Sequence, residues 1–145
     1  GNGWSYKYAR RQWNLVDNKE LDYHYLGDFD CEMLKVIKDE RNFIRTAIQE
    51  VWHNDSDQVL AYMRGDLLFV FNFSPTKSFT DYGFLVPVGS YNIVLDTDNK
   101  AFGGNGFNDD ALTHFTNYDP LYVNEHKEWL KLYLPVRTAL VLKKK

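Results

Sequence analysis

Adjacent Arg10 and Arg11, set among Trp4, Tyr6, Tyr8 and Trp13, make the opening of this chain its richest concentration of side chains that want either burial or a ligand. Exposed Trp and Tyr rings can stack on the apolar faces of sugars, while buried ones fill a core. Packing against an absent part of a larger protein and a contribution to a ligand groove both fit Trp4, Tyr6, Arg10, Arg11 and Trp13, and the sequence leaves the two open. A free chain end is usually polar and frayed, so this one, with no Met before it, reads as cut from something longer. The remaining constellations fail on spacing. His24, His53, His114 and His126 form no i, i+4 pair and have no cysteine partners, so no metal site is expected. Cys31 falls within a predicted amphipathic helix, as a packing or surface thiol. Asp96-Thr97-Asp98 starts like a calcium loop, but Lys100, Ala101 and Phe107 stand where an oxygen ligand, the turn Gly and the closing Glu belong. Gly103-Gly104-Asn105-Gly106 lacks the Lys-Ser/Thr and the helix of a phosphate cradle. Arg64-Gly65-Asp66 reads as a turn between strands. Asn54-Asp55-Ser56 and Asn72-Phe73-Ser74 spell glycosylation sequons only by their letters.

These residues must be positioned by elements whose period changes along the chain. At 145 residues, 44% hydrophobic and 26% charged, this is one domain's worth of ordinary globular sequence. The formal net charge of -3 and the dispersed cations disfavour nucleic acid, and the Lys143-Lys144-Lys145 end reads as a solvated tail. No apolar run approaches the ~18 residues of a membrane span. A single cysteine and no signal peptide give a cytoplasmic expectation. Ser5 caps a first predicted helix ending near Asp17-Asn18, with Tyr6, Ala9, Trp13 and Val16 on one face. Asp28 caps a second, with Phe29, Met33, Val36 and Ile37 in one stripe. From about Ala47 the period is two. Val59 to Met63 and Leu67 to Phe73 make a hairpin, and Leu67 to Phe71, apolar on both faces, makes a central strand for which Phe71→Ala is expected to cost about 3–5 kcal/mol. Tyr91, Ile93 and Leu95 alternate with polar neighbours, as do Leu130, Leu132 and Leu134, and Val136, Thr138, Leu140 and Leu142. The fold class is therefore mainly β, an antiparallel β-sandwich over residues 46–145, preceded by a helical segment over residues 1–45 with two short helices.

Several motifs then converge. Gly1-Asn2-Gly3-Trp4-Ser5-Tyr6-Lys7-Tyr8-Ala9-Arg10-Arg11-Gln12-Trp13 and Tyr25-Leu26-Gly27-Asp28-Phe29-Asp30 closely resemble the end of the catalytic barrel of 1,4-α-glucan (glycogen) branching enzymes. Phe69-Val70-Phe71-Asn72-Phe73-Ser74-Pro75, Ser78-Phe79-Thr80-Asp81-Tyr82, Val94-Leu95-Asp96-Thr97-Asp98, Phe102-Gly103-Gly104 and Leu134-Pro135-Val136-Arg137-Thr138-Ala139-Leu140-Val141-Leu142 resemble that family's C-terminal all-β domain. The pattern departs at Asn105 to Asp110, where the family carries a His and an Asp-His pair, and at Glu40 to Glu50.

The resemblance implies a parent of the α-amylase superfamily that cuts an α-1,4-glucan with retention and transfers it to a 6-hydroxyl, using carboxylates on barrel strands that this chain does not contain. It implies a non-catalytic accessory domain without a cofactor, whose partners are the catalytic barrel and α-glucan or glycogen. Arg10, Arg11, Trp13, Tyr6 and Trp4 are its substrate-binding candidates. An autonomous starch- or glycogen-binding module is the alternative. An uncovered first helix would fold back on the chain or pair with a second copy.

Overall fold

A computed structural model describes residues 15, 17–40, 43–120 and 127–145. The first predicted helix falls almost wholly outside them, and with it Trp4, Tyr6, Ala9, Arg10, Arg11 and Trp13; His126 lies outside them too. The second is a 17-residue helix, α1 (Tyr23–Asp39), whose N-cap is Asp22 and not Asp28. It starts earlier than the capping signal suggests because Tyr25 is already in contact: its ring lies against Gly103, where an added Cβ would approach it to 3.0 Å. Phe29, Met33 and Val36 form the expected stripe, packing on Leu67, Leu95 and Val141.

Among the described residues nine strands follow: β1 (Ile48–Asn54), β2 (Val59–Arg64), β3 (Leu67–Asn72), β4 (Phe79–Leu85), β5 (Ser90–Asp96), β6 (Thr113–Phe115), β7 (Asn117–Tyr118), β8 (Glu128–Leu134) and β9 (Thr138–Lys144). Six form one sheet in the order β1-β2-β3-β9-β5-β6, and three form a second, β4-β8-β7. All pairings are antiparallel. Arg64 pairs with Leu67 across the Gly65-Asp66 turn, and Gly65 takes φ +63° there, so the tripeptide Arg64-Gly65-Asp66 is a hairpin connection.

Inner positions of the large sheet, among them Met63, Leu68, Val70, Ile93 and Leu142, meet Phe84, Leu130, Leu132 and Leu134 of the small one in a single core. Leu67, on the opposite face of β3, is equally buried, but beneath α1. The central position of β3 holds, since it lies between β2 and β9, but cover on both faces holds only toward its Leu67 end, under α1.

Simple alternation fails in two places. The register of β5 shifts between Ile93 and Leu95, so Tyr91 and Ile93 enter the inter-sheet core while Leu95 turns to the helix side opposite Val141. Val136 lies in the turn before β9, 37% exposed, and not within the strand alternation.

Asn72 closes the sandwich. Its residue is 2% exposed, its Nδ2 donates to the carbonyls of Lys77, Leu134 and Pro135, and its Oδ1 accepts from the Ser74 N–H. One amide thus ties the end of β3 to both chain crossings between the sheets, so this sequon asparagine is a structural node. Phe71, by contrast, is only half-buried on the outer face. We expect Leu68→Ala to cost about 2–5 kcal/mol in denaturant titration and Phe71→Ala roughly half of what full burial predicts. Equal losses would show that the two faces of β3 are covered alike.

Candidate functional site: an acidic groove beside the helix

Where β5 runs out, the chain makes a long excursion before β6, and this loop is organised by one carboxylate. Asp98 is 8% exposed. Its Oδ1 accepts from the Asn105 N–H at 3.0 Å and the Asn105 side chain at 3.2 Å, and its Oδ2 accepts from the Phe107 N–H at 3.0 Å. The Gly106 N–H donates to the Asp98 carbonyl at 2.7 Å. The wrap is so tight that a Cβ on Gly104 would fall 2.1 Å from that carbonyl oxygen. The glycine run is therefore a cover over Asp98, and the Asp98 carboxylate is engaged by the Asn105 and Phe107 N–H groups and the Asn105 side chain.

Asp96 supports the loop from below. Its Oδ1 accepts from the Asp98 N–H at 2.7 Å, an Asx turn. Burial pushes the Asp96 carboxyl up to about 6; the charges of Asp110 and Asp98 push the same way, while the Asp98 N–H and the Asn108 amide pull it down. The Asn99 side chain donates to Asp110 and, through its Oδ1, accepts from the Ala101 N–H at 2.8 Å.

Two cavities of about 540 and 440 Å³ meet at Asn99 and Asp110. The larger runs between α1 and the sheet edge, with Asp28, Cys31, Glu32 and Lys35 on one wall and Val94, Leu95, Asp96 and Phe102 on the other. Lys35 donates to Glu32 within one helical turn. Cys31 is an exposed thiol on this wall.

A carboxyl near 6 at the base of an acidic groove has the pKa of a glycosidase acid. Its geometry does not fit that role. Asp96 is 1% exposed, and its Oδ2 is sealed from solvent without a hydrogen-bond partner among the described residues, as are Asn108 Nδ2 and Asp110 Oδ1. An atom that no substrate reaches transfers no proton, so Asp96 is a carboxyl held neutral or charged by the fold for structural ends.

The described histidines are dispersed: His24 meets the Leu21 carbonyl at 2.6 Å, His53 meets Glu50 at 2.7 Å on the exposed edge, and His114 in β6 is held below the usual histidine range by burial. Among the described residues no three His, Cys, Asp or Glu side chains are grouped to hold a metal. Arg10, Arg11, Trp13, Tyr6 and Trp4 lie outside the described residues and are placed in no site. Sequence reasoning missed the roles of Asp98, Asp96 and Asn72. For Asp96 and Asp98 the signal was the Asp-x-Asp-Asn spacing, which marks an Asx-rich turn as well as a ligand loop; for Asn72 it was the sequon.

Residues 51–145 match the family described as Alpha amylase, C-terminal all-beta domain, and the chain belongs to that family. Relatives carrying the name 1,4-alpha-glucan-branching enzyme include one from Candida glabrata, 44% identical over 98% of this chain and 20% of the relative, and one from Saccharomyces cerevisiae, 40% identical over 97% of this chain and 20% of the relative. A chloroplastic/amyloplastic one from Oryza sativa is 42% identical over 97% of this chain and 18% of its own length. The chain thus spans about a fifth of the length of the curated relatives it matches. Among the described residues no helix is long and apolar enough to cross a membrane.

The Asp96 shift is upward, so its contribution to stability is fully present below the ordinary carboxylate range and is lost as pH rises to about 6. Asp96→Asn keeps the oxygen that accepts from Asp98. It should stabilise the chain at pH 7.5 by about 1–2 kcal/mol and change little at pH 3.5. A difference independent of pH in thermal melts would show that Asp96 does not titrate in this window.

Proposed function

We propose that this chain is the C-terminal accessory domain of a 1,4-α-glucan branching enzyme. The parent acts in the cytoplasm in glycogen biosynthesis, cutting an α-1,4-linked chain with retention and rejoining it to a 6-hydroxyl. That chemistry needs two carboxyl groups about 5 Å apart on a barrel rim; they belong to the preceding catalytic part. This domain holds that part in place and contacts glucan through Arg10, Arg11, Trp13, Tyr6 and Trp4.

The observation that carries the reading is the reach of the likeness. The all-β family match begins at residue 51, yet the branching-enzyme relatives align over 97–98% of the chain. The helical segment is therefore shared with those enzymes too, which a sandwich common to many amylases would not require.

One observation favours the second reading, an autonomous glycogen-binding module. Trp52 is 43% exposed, and its indole is fixed by donating to the Tyr82 hydroxyl at 3.0 Å, which donates to Asp57 at 2.9 Å. A pre-positioned ring of this kind is a low-entropy stacking surface.

The purified chain is expected to form no branches in an iodine-staining assay, whereas a hybrid in which it replaces the matching fifth of the Saccharomyces cerevisiae relative forms them. Branching by the chain alone, or a folded hybrid without activity, would contradict the accessory reading. Retention of the isolated chain on glycogen, lost in Trp52→Ala, would favour the second.

A further inference from the structure

The sandwich has an open flank where the chain passes from one sheet to the other. The large sheet ends there in β6 and the small one in β7, strands of three and two residues. Thr116, the one residue between them, is buried; its hydroxyl donates to the Glu128 carboxylate and accepts from the Gly89 N–H at 3.0 Å, which pins the crossing. A hollow of about 280 Å³ lies in this flank, lined by His114, Phe115, Asn117 and Tyr118 and by Trp129 and Lys131 of β8.

The hollow offers rings and polar groups without uncompensated charge. Phe115 is 61% exposed and Tyr118 58%, before and after the pinned Thr116. The Trp129 ring lies over Gly83 of β4, where an added Cβ would approach it to 3.6 Å. The Asn117 Nδ2 donates to the Phe115 carbonyl at 3.1 Å, which fixes the plane of the amide. Lys131 meets the Asp119 carboxylate at 3.1 Å, so its charge is matched. Burial holds His114 below the usual histidine range and therefore neutral at pH 7, and its Nε2 has no hydrogen-bond partner among the described residues. An anion finds no free cation here and a cation no free carboxylate. Exposed rings beside fixed donors and acceptors suit an uncharged ligand with apolar faces and many hydroxyls, which is a carbohydrate.

We propose that this flank, Phe115 and Tyr118 with Asn117 and the Lys131–Asp119 pair, is a binding site for a segment of α-1,4-linked glucan. The choice of that linkage rests on the proposed function; the pairing of rings with hydroxyl-binding groups does not. The site is separate from Trp52, since β1 and β4 lie at the opposite edges of their sheets from β6 and β7. A polymer held at a site away from the reaction raises the local concentration of its other chains.

The test follows the amide spectrum of the 145-residue chain as maltoheptaose is added, and compares dissociation constants for the chain and for Tyr118→Ala, Tyr118→Phe and Trp52→Ala. Shifts should be confined to residues 113–119 and 129–131. Tyr118→Ala should bind about tenfold more weakly, while Tyr118→Phe, which keeps the ring, and Trp52→Ala should stay within about twofold of the unaltered chain. Inorganic phosphate should not compete, because Lys131 is already matched. Cellohexaose, with the other linkage, should bind more weakly than maltoheptaose.

No shifts at this flank, full affinity in Tyr118→Ala, or binding lost in Trp52→Ala alone would overturn the proposal. Competition by phosphate would overturn the uncharged ligand, and equal binding of cellohexaose the α-linkage. Self-association of the chain that Tyr118→Ala abolishes would overturn it too, because a second copy would then fill the hollow. The shift map needs no variant, so it decides the matter alone if Tyr118→Ala fails to fold. Maltoheptaose bound here by a chain whose hybrid makes no branches keeps the site and sinks the accessory reading; a branching hybrid whose isolated chain shows no shifts at this flank does the reverse.

Discussion

Strands β3 and β9 sit at the middle of a six-stranded sheet with apolar residues on both faces, and everything else follows from the need to keep both faces dry. Leu68, Val70, Leu140 and Leu142 point inward, where the three-stranded sheet covers them. Leu67 and Val141 point outward, where α1 covers them. A half-buried antiparallel sheet reads as alternating apolar and polar residues. Leu67 to Phe71 has no polar residue to give to solvent, so the helix is a requirement of the strand's composition rather than an appendage.

Two polar nodes make this arrangement specific. Apolar burial is non-directional and would accept a sheet slipped by two residues. The Asn72 amide accepts no slip, because its three donor contacts and one acceptor contact come from four different backbone groups near the crossing between sheets. Near the same end of the sheet, one strand further on past β9, Asp98 gathers the N–H groups of the loop after β5 and Asp96 props Asp98. Both nodes are buried groups whose loss would leave backbone groups unpaired, chiefly carbonyls around Asn72 and N–H groups around Asp98, which costs more than the bonds themselves contribute.

The architecture was legible in the sequence because its signals are periodic. The hairpin around Gly65, the two-faced β3, the Leu130-Leu132-Leu134 stripe and the Phe29-Met33-Val36 face of α1 each follow from spacing. What was not legible depends on contacts distant along the chain. The start of α1 at Tyr23 depends on Gly103, some eighty positions away; the sideways turn of Leu95 depends on a one-residue register shift against β9; and Asn72 looked like half of a sequon. The acidic groove was invisible for the same reason, since Asp28 and Glu32 meet Asp96 and Asp110 only through the packing of α1 on the sheet.

The outer face of the large sheet depends on α1 as its cover. That dependence is tested most directly by equilibrium denaturation of the chain lacking residues 1–40 against the whole chain. Removing Phe29, Met33 and Val36 from Leu67, Leu95 and Val141 is expected to lower stability by at least about 3 kcal/mol, with a hydrophobic dye binding the shortened chain. Unchanged stability and no dye binding would mean that the sandwich keeps its own outer face dry, and the account would be wrong.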